Sequence, residues 1–578
     1  MAINYLIGVG GVGSRIIESA VRLCECGFIN VGELKCLMID VDQSNGNANK
    51  TLDIIDDYKN CRDSLRSDNT GLEIFKTEIR PAIGSDYRIT PLDGISTTRV
   101  SDIASGGNRI DRGVEQALFT STEAHENVEA GFYGNLALGN VFYTYSVEKK
   151  GGHSPLQSLL DRIKSETANN VVKVFIAGSL FGGTGASGVA FISQKMVGMF
   201  PKGDSNRDNL HINAGLMLPY FRYHDKVELP VGKDGKPTEQ KIYHDNFNKN
   251  ALAALEKYQR LSNTFDRVLL LGDPDIPVRG MYSHEGSRQN NWPHVLEMFA
   301  ASEAGVFFNK VDAQLVNQQY MNTEWYSNPF EIDDAADSDR NKIRSLDWEC
   351  YEGYESLKKK IDDFLLFNYY YTMYITPILF NMVGGKLVSW NLDDDANDAR
   401  EDVLVDCEWA KNRFTTRVST GLFSKKRVWY NGIVADDFTN LLKYLNESAK
   451  WYFKLAYDYG EAAIDSRPCW ETGETPACAG GEGECRRKGD PLLPKMFDNR
   501  GGGAIKLLSD RACMPKDSNI WSLYRFSADI ASRFGRTSPE LDENLSSVSG
   551  NNGAEVQRRM FKELLENTYD LLSRTTSR

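Results

Sequence analysis

Ala177-Gly178-Ser179-Leu180-Phe181-Gly182-Gly183-Thr184-Gly185-Ala186-Ser187-Gly188 is the stretch whose reading decides the fold. It leaves an apolar run at 171–177 (VVKVFIA) and enters a segment in which Val189, Ile192, Met196 and Met199 recur at helical spacing. The local prediction is a buried strand, a glycine turn and a helix with one apolar face. Glycines let the backbone turn sharply and come close to a phosphate, while a helix start supplies free N–H groups and a partial positive charge. Thr184 and Ser187 add hydroxyl donors. The N-terminus has the same layout: a short run, Tyr5 to Val9, then Gly10-Gly11-Val12-Gly13-Ser14, then Ile16, Ile17, Ala20, Val21 and Cys24 at helical spacing. Two such loops in one sheet have the chemistry to hold one polyphosphate from two sides, and neither ends in the G-K-[ST] of a P-loop.

Further apolar runs lie at 34–41 (LKCLMIDV), 212–218 (INAGLML) and 268–271 (VLLL). Strands alternating with helices predict an α/β fold with a parallel sheet covered on both faces, whose ligands sit beyond the carboxyl ends of the strands. Asn246 is a candidate cap for a helix carrying Phe247, Ala251, Leu255 and Tyr258. Residues 293–308 read as a long central helix, apolar on most of its surface and so buried. The second half is richer in helix signals, at 354–383, 401–418 and 436–463, with a terminal helix near 556–572. The expected organisation is a nucleotide-binding domain over 1–290, a connecting helix over 291–310, a divergent and largely helical domain over 311–500 and an extension over 501–578.

The chain has 578 residues, 41% hydrophobic and 25% charged, with a net charge of −13. That length predicts more than one domain, and that acidity argues against nucleic acid or anionic membrane as a partner. Residues 364–385 (FLLFNYYYTMYITPILFNMVGG) carry no charge, yet their asparagines, tyrosines and proline favour a helix buried in protein over a membrane span. The N-terminus reads as a strand rather than a signal peptide, and the ten cysteines include no C-x-x-C pair, so a reduced cytoplasm is the expected setting. Cys469, Cys478, Cys485 and Cys513 match no standard zinc spacing.

On these residues the chain resembles the tubulin/FtsZ superfamily, in particular its divergent bacterial tubulin-like members. The family's phosphate loop, G-G-G-T-G-[ST]-G, is matched by Gly182-Gly183-Thr184-Gly185, with Ala186-Ser187 in place of one residue. The resemblance implies a fold with a long central helix and a site for GTP or GDP with Mg2+. It makes Asp42, in Asp40-Val41-Asp42-Gln43, a candidate holder of a magnesium-bound water. It assigns Gly134-Asn135, in Gly134-Asn135-Leu136-Ala137-Leu138-Gly139, to sensing the terminal phosphate, in preference to Gly106-Gly107-Asn108. Leu218-Pro219-Tyr220-Phe221 resembles the segment leading to the ribose contacts, with Arg222 as a candidate there. Asp273 falls near the sugar or base, and Asn290 and Asn291 fall where the family reads guanine, which an amide can pair through its N1, N2 and O6 edge. Both asparagines are also possible helix caps. The acid that orients water across a filament contact has only Asp312, in Asn309-Lys310-Val311-Asp312, as a candidate. The implied activity is GTP hydrolysis with self-association into protofilaments, and the C-terminal half is a candidate surface for another protein.

Two other classes stay open. Gly8 to Ser14 followed by Asp40 to Lys50 also resembles the ThiF/ubiquitin-activating adenylyltransferases, in which Asp40 and Asp42 would bind Mg-ATP and Asn45 to Lys50 would contact phosphates. A nucleotide-binding scaffold without turnover is the third.

Overall fold

The computed structural model describes residues 2–65, 73–93, 98–106, 109–129, 131–148, 154–221, 246–261, 264–272, 291 and 293–310, with short stretches from 324 to 452. In chain order the first elements are β1 (Ile3–Val9), α1 (Gly10–Glu25), β2 (Glu33–Ile39), α2 (Gly46–Leu65), β3 (Glu78–Pro81) and β4 (Arg88–Ile89). Four helices follow in sequence, α3 (Val100–Gly106), α4 (Arg109–Leu118), α5 (Ser121–Ala124) and α6 (Leu136–Glu148). Then come α7 (Pro155–Glu166), β5 (Val172–Ser179), α8 (Gly183–Gly198), β6 (Leu210–Met217), α9 (Phe247–Gln259), β7 (Arg267–Leu271), α10 (Val295–Asn309) and β8 (Glu324–Ser327).

The sheet is wholly parallel, in the order β3-β2-β1-β5-β6-β7-β8, with β4 continuing the edge beside the second half of β2. This is the α/β architecture expected from the alternating runs. β5 and β6 are buried along their whole length, and β1 is buried from Tyr5 through Val9, the signature of strands covered on both faces. β3, β4 and β8 carry no sustained apolar run and are not legible in the sequence. Edge strands need bury only part of their surface, so they lack the pattern that marks the centre.

Alternate residues of a strand point to opposite faces, and two buried lysines mark which helices cover which. Lys35 on β2 donates to Glu166 Oε1 at 2.6 Å, and Tyr5 of β1, its register partner, donates to the other oxygen, so α7 ends over that face. Lys173 of β5, one position out of step, donates to the carbonyls of Phe308 (3.1 Å) and Lys310, so α10 ends over the other face. A cation at a helix C-terminus also meets the negative end of the dipole. α1 packs beside α10, and α6 and α8 pack together. Ile16, Ile17, Ala20, Val21 and Cys24 are all buried, as their spacing predicts. α10 is buried nearly all round, in keeping with its apolar sequence. Asn246 stands at the start of α9 but makes no side-chain cap.

Residues 1–56 and 76–354 belong to one compact unit, and 57–75 with 355–457 to a second. The central helix α10 is thus part of the first unit, while 57–75 leaves the domain expected over 1–290. In the second unit Phe75 packs against Tyr58, Phe364 and Tyr444, with ring centroids 5.5, 6.2 and 5.7 Å away. The helix expected over 354–383 is corrected at its end: Phe380–Val383 is a strand paired antiparallel with Lys386–Ser389. The helix expected over 401–418 likewise ends in a strand, Thr415–Ser419, paired with Lys425–Trp429. Gly384-Gly385 between two short apolar runs was the hairpin signal there, masked by the length of the uncharged stretch. Among the described residues no helix is long and apolar enough to cross a membrane.

Candidate functional site

β1 and β5 lie side by side in parallel register, Val9 opposite Gly178. From β1 the chain passes to β2 on one side, and from β5 to β6 on the other. The strand order therefore reverses between them, which is where a doubly wound sheet opens a crevice beyond its carboxyl ends. Both glycine loops stand there and touch. A Cβ at Gly10 would lie 3.3 Å from Gly185 N, and one at Gly178 would lie 2.9 Å from Val9 O. Gly10 also has φ +73°, a conformation that side chains resist.

Thr120, Ser154 and His294 close the starts of α5, α7 and α10 with side-chain bonds. α9 has no side-chain cap, and neither do α1 and α8. Their caps, Val9 and Gly182, offer no side-chain hydrogen bond, so the first N–H groups of both helices have no capping acceptor. Two orphaned sets of donors, each at the positive end of a dipole, face the crevice. Gly11, Val12 and Gly182 are partly exposed there, while Gly10, Gly13 and Gly183 are buried. Thr184 is nearly buried, and its hydroxyl has no hydrogen-bond partner among the described residues.

Several predicted donors are engaged elsewhere. Ser187 Oγ donates to Gly183 O at 2.6 Å, and the residue is fully buried against α6. Ser14 Oγ turns back toward Gly10 O at 3.4 Å. Ala186 accepts the Tyr258 hydroxyl at 3.0 Å. These three support the loops from within, where packing rather than a ligand uses their polar groups. The expected hydroxyl contact from Ser187 is corrected on this ground.

Gly134-Asn135 lies against the second loop. A Cβ at Gly183 would be 2.6 Å from Phe132 Cβ, and Gly139 sits so close to Ser187 that a methyl there would overlap its hydroxyl. Asn135 Oδ1 accepts from Ala137 N (2.9 Å) and Leu138 N (3.2 Å), while its Nδ2 donates to Glu123. The carboxamide therefore serves as the cap of α6. Tyr133 and Gly134 both take positive φ, +47° and +77°. A tyrosine in that region is uncommon, and such strain clusters at functional turns.

The acids stand at the end of β2. Asp40 is nearly buried, its Oδ1 accepting from Val41 N at 2.8 Å, and burial with neighbouring Asp42 pushes its carboxyl up to about 7. Asp42 is raised by burial too, against the opposing bonds from Ser44 N (2.9 Å) and Ser44 Oγ (2.7 Å), both to Oδ1. Asp42 is thus the head of a tight turn with Oδ2 left over. Among the described residues no three acidic, histidine or cysteine side chains gather into a metal cage. Mg2+ commonly takes one or two carboxylates, waters and substrate phosphates, and Asp42 Oδ2 with Asp40 fits that donor set.

Asn291 also reaches this region, its N–H donating to Asn47 Oδ1 at 3.0 Å in the first turn of α2. α10 is capped by His294, whose Nδ1 accepts from Leu296 N at 3.0 Å while Glu297 accepts from His294 N. Asn291 is therefore not the cap, and its carboxamide has no hydrogen bond among the described residues although the residue is nearly buried. Beneath it lies a network with no signal in the local sequence. Arg15 of α1 pairs with Glu297 at 2.8 Å, both buried, and Tyr220 donates its hydroxyl to the same carboxylate. Burial raises Glu297, opposed by Arg15 and Tyr220. Arg222, Gly107, Asn108, Asp273, Asn290, Asp312 and the cysteines from 469 onward lie outside the described residues.

No protein family and no curated protein matches the chain. Among solved structures it is similar to CetZ2 from Haloferax volcanii, in a GTPgS-bound protofilament, at 16% identity, over 55% of this chain and 62% of that one, with a TM-score of 0.26. The chain thus spans less than two thirds of that protein's length.

Proposed function

We propose that this chain is a tubulin-like GTP-binding protein whose nucleotide lies in the crevice between β1 and β5, with Mg2+ near Asp42. The observation that carries the reading is the meeting of two uncapped glycine turns at the reversal of strand order. In this reading the free N–H groups of Gly11 and Val12 and of Gly183, Thr184 and Gly185 take the phosphates, and the Thr184 hydroxyl adds a further donor. Asn291 offers a buried, unpaired amide, able to give and accept at once as the edge of guanine requires. Asp40 and Asp42 hold the metal, which supplies charge neutralisation on the phosphate oxygens when bound.

The reaction is hydrolysis of GTP: water forms a bond to the terminal phosphorus, the bond to the bridging oxygen breaks, and GDP, phosphate and a proton leave. The protein's part is positioning and preorganised N–H donors. Asp312, supplied by a neighbouring copy in a protofilament, is the proposed acid that orients the water. Self-assembly is accordingly part of the same proposal.

The test is equilibrium binding of fluorescent GTP and ATP to the purified full chain, with pelleting and electron microscopy in each nucleotide. GTP is expected to bind in preference to ATP and to promote filaments. Thr184→Ala should weaken GTP by about tenfold, the value of one hydrogen bond to a charged group. Gly185→Ala is a poorer probe, because its methyl would sit 2.8 Å from the Ser179 backbone and disturb the fold as well. Preference for ATP with pyrophosphate exchange would overturn the reading in favour of adenylyl transfer.

A further inference from the structure

Asn45 is nearly buried, and its two amide ends do different work. Oδ1 accepts from Asn47 N at 2.9 Å and from Ala48 N at 3.3 Å, so it caps α2. Those two bonds fix which end of the amide is oxygen, since nitrogen cannot accept them. Nδ2 must then point the other way, and it points at the first glycine loop. Of everything near a Cβ built on Gly11, Asn45 Nδ2 is closest, at 3.2 Å, with Oδ1 at 3.8 Å and Cγ at 3.9 Å. Nδ2 has no hydrogen-bond acceptor among the described residues, so a nearly buried donor stands open beside the loop.

The glycine is consistent with this. Gly10 is required by its positive φ, but Gly11 is not among the positive-φ residues, so its backbone does not demand glycine. A side chain at 11 would press on the Asn45 amide, and its absence leaves the loop and the amide in contact. Capping alone asks only for an oxygen. Aspartate and serine cap as well as asparagine, and aspartate suits the helix dipole better. What distinguishes asparagine here is the nitrogen that capping does not use, and the lack of a third negative charge beside Asp40 and Asp42.

We propose that Asn45 is a phosphate-binding residue of the crevice, its Nδ2 donating to a phosphate oxygen of the nucleotide seated on the first glycine loop while its Oδ1 holds α2. This rests on the nucleotide reading above and adds to it a ligand contact from outside both glycine loops. The neighbouring Lys50 does not compete for the role, because it pairs with Glu18 at 2.7 Å.

Asn45→Asp separates the two functions. It keeps the size and the capping oxygen, exchanges the donor for a second acceptor and adds a negative charge. In the full chain it should still melt cooperatively, while affinity for fluorescent GTP falls by more than tenfold. Asn45→Ser, which also caps but adds no charge, should lose about tenfold, as expected for one hydrogen bond to a charged group. Guanosine, which has no phosphate, should lose nothing in either variant, and the affinity for tripolyphosphate should fall in both by the same factor as that for GTP. Undiminished GTP affinity in Asn45→Asp and Asn45→Ser, with the unmodified chain binding GTP normally, overturns the role of Asn45 and leaves the nucleotide reading standing. An equal loss for guanosine and GTP overturns it too, by placing the contact on the nucleoside. An unmodified chain that binds no nucleotide overturns both.

Discussion

Replacing Asp40 by asparagine should stabilise the folded chain, and by an amount that depends on pH. The carboxyl is raised from 3.8 to about 7 by burial and by Asp42. A group whose folded value is raised contributes stability that is fully present below its unfolded value and lost as pH climbs through the folded one. For Asp40 that window runs from about 4 to about 7, and at about 1.4 kcal/mol per pH unit the loss comes to about 4 kcal/mol. Asparagine keeps the Oδ1 that accepts from Val41 N and never ionises. The difference between variant and unmodified chain should therefore be near zero at pH 4, grow steadily, and level off at about 4 kcal/mol above pH 7. Urea midpoints across that range, with EDTA and no nucleotide, measure it. Asp42→Asn should shift the same curve to lower pH, because the negative neighbour is the second cause of the elevation. A difference that is flat from pH 4 to 8 would show that Asp40 is ionised throughout and that its burial is not as described.

Arg15→Met should destabilise the chain by about 3 kcal/mol, because Glu297 is left charged and buried, and adding Glu297→Gln should recover part of that. Denaturant unfolding of the two single variants and the double variant checks it; strictly additive losses would mean the pair is uncoupled. Gly139→Ala should cost about 3 kcal/mol or more and weaken nucleotide binding with it, because its methyl overlaps Ser187 Oγ, whose own Cβ is only 2.7 Å off. A melt unchanged from the unmodified chain would show that α6 and α8 are not packed as described.

How much of this was legible depends on the range of the interaction. The strand–glycine–helix units around Gly10 and Gly183 are local, and the five central strands declare themselves by apolar runs that any two-sided sheet requires. The roles of individual polar groups do not. Ser187 reads as a phosphate donor until α8 folds and its own Gly183 carbonyl takes the hydroxyl. Asn135 reads as a ligand contact until α6 claims its oxygen. Asn291 reads equally as a cap until His294 is seen to fill that position. Arg15 and Glu297 lie at opposite ends of the described first unit's sequence, so their pairing has no local signature. The strand segments at 380–383 and 415–418 fall inside stretches that read as helix, because short apolar runs do not tell the two apart by periodicity.

By itself, then, the sequence determined a parallel sheet and two turns able to bring bare N–H groups close to an anion, because backbone freedom at glycine and burial of apolar runs are properties of the residues where they stand. Only the tertiary structure decided that the two turns meet, and which of the nearby oxygens and nitrogens remain open. A hydrogen-bonding group is available to a ligand only if no neighbour has taken it, and the neighbours of Thr184, Asn45 and Asn291 are set by packing across distant parts of the chain.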